Sequence, residues 1–112
     1  MASTTFSGPV TSTNGFIAGT GATVTSILTA TSTIDFTSIS ANTTADSSGI
    51  TVTGAAVGDA VIVGVPATLA AGLVVTGYVS AADTVKVRAA NVTGSAIDPA
   101  SGSFRVVVVK VA

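Results

Sequence analysis

Five aspartates, Asp35, Asp46, Asp59, Asp83 and Asp98, are the only acids in the chain, and no histidine or cysteine accompanies them. Without His the usual general base is missing, and a Ser–His–Asp arrangement cannot be built. Glycoside hydrolysis would need two convergent carboxylates. Four of the five aspartates, however, adjoin Gly, Ser, Thr or Pro in expected turns, where Asp hydrogen-bonds local backbone. No run resembles the D-x-D-x-D-G of a calcium loop. The string GTGAT, 19–23, has glycine spacing but lacks the Lys and the following helix of a phosphate loop. The sequence therefore predicts no catalytic residue, no cofactor and no metal site.

Binding chemistry is equally sparse. The cations are Lys86, Arg88, Arg105 and Lys110, and the net charge is -1, so no basic stripe exists for nucleic acid. The sequons at Asn42 and Asn91 matter only in a glycosylating secretory route. A carbohydrate platform would want Trp or several Tyr, whereas Tyr78 stands alone. The opening MASTTFSGPV has neither the basic nor the apolar region of a signal peptide, and the absence of Cys favours a reducing cytosol. Between Asp59 and Asp83 lies an uncharged stretch long enough to span a bilayer. Gly64, Pro66, Gly72 and Gly77 punctuate it and Asp flanks it on both sides, so it reads as paired strands with no membrane role.

What must position any surface is a β framework. The 112 residues make one domain, able to bury about two thirds of its unfolded surface. Charged residues are 8% against 47% hydrophobic, with 19 Thr, 13 Ser and 18 Val, so the surface is wetted by hydroxyls and strands are favoured. TIDFTS puts Ile34 and Phe36 on one face and Thr33, Asp35 and Thr37 on the other. ANTTADSSG, 41–49, reads as a polar turn cluster. Further strands are expected in GITVTG, Ala60 to Val65, LVVTGYV, TVKVRA and SFRVVVVKV, with one helical turn in PATLAAG. The expected fold is an all-β, jelly-roll-like or Greek-key β-sandwich spanning 22–112, preceded by an extended N-terminal arm, 1–21. The residues of 1–20 fit equally an arm laid along another protein and a frayed end.

The closing FRVVVVKVA is apolar on both faces. Phe104, Val106 and Val108 point one way, and Val107, Val109 and Val111 the other. An opposite sheet can cover only one of these rows. The second row predicts cover by the arm, by a neighbouring copy, or by both, because each buried Val is worth about 1.5 kcal/mol or more. A homo-oligomer follows, with Phe104, Val106, Val107, Val108, Val109 and Val111 forming its core strand and interface.

Two stretches carry a resemblance. TTFSGPVTSTNGFIAG is similar to N-terminal segments in structural proteins of tailed bacteriophages, where FSGPV and S-x-NGF recur before Gly/Thr-rich strands. GDAVIVGVP, with TVKVRAANVTGSAIDPASGSFRVVVV, resembles a β module of phage decoration proteins, head fibres and tail-associated proteins. The resemblance implies a non-enzymatic virion protein, a capsid decoration (cement) protein made in the host cytoplasm and carried on the outer capsid surface. It also implies a homo-oligomer, in this family often a trimer, with the major capsid protein as partner. The arm would dock through Phe6, Pro9, Val10, Asn14, Gly15, Phe16 and Ile17. The other reading is a head- or tail-fibre knob that binds host-surface glycan through loops such as Asn91 to Ser103.

Overall fold

The computed structural model describes residues 2–112; Met1, part of the expected arm, lies outside the described residues. The chain is all-β, with eight strands in two antiparallel sheets and no helix among the described residues. The strands are β1 (Phe16–Ile17), β2 (Thr23–Ile34), β3 (Thr44–Asp46), β4 (Ile50–Thr51), β5 (Ala60–Gly64), β6 (Leu73–Ala81), β7 (Thr84–Asn91) and β8 (Gly102–Val111). One sheet runs β1-β2-β8-β5; in the other, β7 is central, with β6 along one side and β3 and β4 sharing the other.

The core lies between the sheets and is built from alternate residues, as period-two patterning demands. Val106 and Val108 of β8 and Val85, Val87 and Ala89 of β7 are wholly buried, with Ile34, Phe36, Ile50, Val52, Val79 and Phe104 around them. Phe36 and Phe104 meet edge to face, their ring centroids 6.1 Å apart at 86°, a favoured aromatic geometry. The alternations expected in TIDFTS, GITVTG and TVKVRA all match this burial: Ile34, Phe36, Ile50, Val52, Val85 and Val87 face inward.

At one side of the layers β6 comes close to β5, and Gly77 is what allows it. A Cβ on Gly77 would lie 2.7 Å from a methyl of Val61 and 2.7 Å from a methyl of Val63, both on stiff β-branched side chains. Gly77→Ala should therefore cost about 1–3 kcal/mol by overpacking, read as a lower midpoint in urea unfolding. A variant as stable as the parent would mean that the sheets can part there without loss.

Two local expectations are corrected. PATLAAG forms turns, not a helical turn: the Leu69 N–H donates to Pro66 O at 3.0 Å and the chain enters β6 directly after Gly72, whose φ is 90°. The polar cluster 41–49 is not all turn, because Thr44–Asp46 forms β3 against Ala90, Ala89 and Arg88 of β7. Beyond β3, Ser47 substitutes for a ladder partner. Its N–H donates to Val87 O at 2.8 Å, and its Oγ accepts the Val87 N–H at 3.0 Å.

Candidate functional site

The registers of β2 and β5 on β8 decide what the second row of valines meets. Directly opposed residues of an antiparallel pair share a face. Ile27 and Ala60 flank Val109, Thr29 and Ile62 flank Val107, and Thr31 and Gly64 flank Arg105. This row is the outer face of its sheet. Val107 and Val109 are half-buried, while Ile27, Ile62 and Val111 are each 60% exposed. Phe104, Val106 and Val108 are thus dry, while no layer among the described residues lies over Val107, Val109 and Val111. The threonines of β2 and Arg105 form the polar surround of this apolar strip.

The outer face of the other sheet is different in kind. Arg88 donates to both oxygens of Asp46, at 2.7 and 3.0 Å, and Tyr78 donates to the same carboxylate at 2.6 Å. The Arg88 guanidinium also lies 4.7 Å from the Tyr78 ring centroid, within cation–π range. This face is wet, and its Asp46, Tyr78 and Arg88 satisfy one another. Elsewhere, Lys110 reaches Asp59 at 2.6 Å, and Asp59 also accepts the Ala56 N–H at 2.9 Å in the expected turn before β5. Asp83 accepts the Gly54 N–H at 2.8 Å. Three of the five acids are therefore engaged in structure. Among the described residues no three acids gather as a metal site would need.

These pairings give the acid limb of stability its sign. Hydrogen bonds from Arg88 first, and then Tyr78, lower the Asp46 carboxyl from the ordinary 3.8 to about 2. The Lys110 ammonium, and then the Ala56 N–H, hold Asp59 below its usual range. The hydrogen bond that Tyr78 donates to the Asp46 carboxylate raises the phenol, because ionisation would remove the donated proton. Stability from Asp46 is complete above about pH 4 and is lost as pH falls towards about 2. Asp46→Asn should therefore show a modest deficit in melting temperature at pH 7 that closes by pH 2, small because the pair is solvent-screened. A deficit unchanged at pH 2 would place its origin in packing.

The residues expected in the arm divide into two groups. Phe6, Pro9 and Val10 are exposed in a segment without regular structure, bent at Ser7–Gly8. Phe16 and Ile17 instead form β1, opposite Val24 and Thr23, so the hairpin crosses the boundary expected at residue 21. Asn14 and Gly15 lie in the turn that precedes it, with Gly15 at φ 84° and accepting the Ser12 hydroxyl. Val10, Phe16, Val24 and Ile27 line a shallow groove beside this turn.

Asn91 carries a role that its sequon concealed. It is 2% exposed; its Nδ2 donates to Ile39 O at 3.0 Å and Ser95 O at 2.8 Å, while its Oδ1 accepts the N–H and the hydroxyl of Thr93. It fastens the loop after β7 to the chain between β2 and β3. The clue in the sequence was N-V-T-G-S itself, since Asn with a Thr two residues on favours a local side-chain turn.

Among the described residues no helix is long and apolar enough to cross a membrane. In comparisons with protein-family models, curated proteins and solved structures, nothing matches this chain.

Proposed function

We propose that this chain is a non-enzymatic structural protein that associates with copies of itself through the outer face of the β1-β2-β8-β5 sheet. One observation carries the reading: among the described residues nothing covers the apolar strip of Val107, Val109, Val111, Ile27 and Ile62, while the outer face of the other sheet carries the Asp46–Tyr78–Arg88 cluster. Covering several such side chains is worth several kcal/mol. Cyclic symmetry closes such contacts without forming fibres.

The phage resemblance of FSGPV and the C-terminal module supports a more specific role: a capsid decoration (cement) protein, a trimer on the outer surface of the shell, with the major capsid protein as partner. Residues 1–21 are then the docking arm; the exposure of residues 2–11 and their lack of regular structure suit such a use. In the strand order, β8 returns between β2 and β5, which favours a Greek-key sandwich over a jelly roll. The glycan-binding knob has less support, since Asn91 is turned inward and Tyr78 is capped by Arg88.

Sedimentation equilibrium tests the core of the proposal. A closed oligomer at micromolar concentration is expected, and a soluble monomer there would overturn it. Co-sedimentation with shells at fixed stoichiometry tests the cement role. Binding to host glycan without binding to shells would replace that role with the knob.

A further inference from the structure

Strand β2 has a bare flank. β8 pairs with it from Val24 to Ile34, but on the other side β1 reaches only Thr23 and Val24, and β1 is the last strand of that sheet. From Ser26 to Ile34 the backbone groups on that flank meet no strand among the described residues. Open edges of this length are templates for another strand, and proteins normally cover them.

The chain upstream of Phe16 is aligned to cover this one and is prevented from doing so. Since Phe16 lies opposite Val24 in an antiparallel pair, Gly15 would next meet Thr25. Thr25 is where the register slips, between Val24 opposite Val111 and Ser26 opposite Lys110, and its hydroxyl donates to Lys110 O at 3.2 Å. On the other side, the Ser12–Gly15 turn diverts the chain. Gly15 sits so tightly on the Val24 carbonyl that an added Cβ would collide with its oxygen. Residues 2–11 are exposed and make no hydrogen bond to the other described residues, although Val10 lines the groove beside Val24 and Ile27.

We propose that residues 3–11 of a second copy fill the β2 edge as an exchanged strand. This rests on the self-association proposed above and concerns the free oligomer, before it meets any shell. Residues 3–11 and Ser26–Ile34 are stretches of equal length, each about 30 Å when extended. Both are uncharged and rich in Thr and Ser, so no repulsion opposes their pairing. Phe6 and Val10 are an even number of residues apart and fall on one face of the added strand. They would extend the apolar strip past exposed Ile27. Pro9 is tolerated because an added outermost strand needs only one hydrogen-bonded side.

Hydrogen exchange tests this with three samples: the full chain, the chain lacking residues 2–11, and the truncated chain with an excess of synthetic Ala2–Ser12 peptide. Truncation removes no hydrogen bond from the folded part, and an unchanged melting curve would confirm this. Amides of Ser26–Ile34 should exchange about tenfold more slowly in the associated full chain. That protection should vanish on truncation and return with the peptide. Equal exchange in associated full-length and truncated chains overturns the strand exchange and leaves association through the outer face standing. Protection that survives dilution to monomer also overturns it, because the segment would then pair with its own β2. A chain that is monomeric at every concentration removes both readings.

Discussion

Val108→Asp is expected to abolish the folded state, whereas Val109→Asp, one residue along the same strand, should fold and fail to associate. Val108 has no exposed surface and faces the second sheet. A carboxylate there loses its hydration with no cation to meet it, a penalty of several kcal/mol against the roughly 5–15 kcal/mol available to a small domain. Val109 is half-buried on the outer face, between Ile27 and Ala60. In the single chain its carboxylate stays in water, at a cost of about 1 kcal/mol in strand preference. In an assembly that carboxylate would be desolvated in every copy, enough to weaken association by about a hundredfold or more. Circular dichroism and sedimentation velocity on both variants read the two effects separately. A Val109→Asp chain that assembles like the parent would show that the interface lies elsewhere.

Asn91→Asp is expected to lower stability by about 3 kcal/mol or more, and the melting temperature by on the order of 10 °C. The side-chain amide donates to two carbonyls, Ile39 O and Ser95 O, within a site almost closed to water. The substitution puts an acceptor against both and adds a charge with no cation nearby. Loss of that tie also frees the Ile39–Ile97 bridge, which joins the loops at this end of the core. Urea unfolding measures the effect. A change below about 0.5 kcal/mol would mean that the loop opens to water without consequence for the core.

These two sites differ in how far the sequence exposes them. Alternation in TVKVRA and TIDFTS identifies both strand and inward face, because their polar partners mark the wet side. The valine run has no such marker. Its two rows are chemically alike, and the row that faces inward is chosen by pairing with β2 and by Phe104 meeting Phe36, partners far away in the chain. Strand β3 is not legible in the sequence because its only apolar residue is Ala45; it is held by β7 and by Asp46 gripping Arg88, 42 residues on. Asn91 reads as a loop sequon because its partners come from the chain after β2 as well as from its own turn. Local chemistry was legible where one residue type decides it, and long-range pairing was not.

The polar surround of the apolar strip has a consequence for the solutions in which an assembly can persist. Thr29, Thr31 and Thr33 lie on that outer face with one cation, Arg105, and a single acid, Asp35, where the row leaves β2. Dissolved electrolyte acts by screening charges, and here there is almost nothing to screen. Strongly hydrated anions such as sulfate would tighten the burial of the strip. An assembly held together in this way would keep its grip from fresh water to brine.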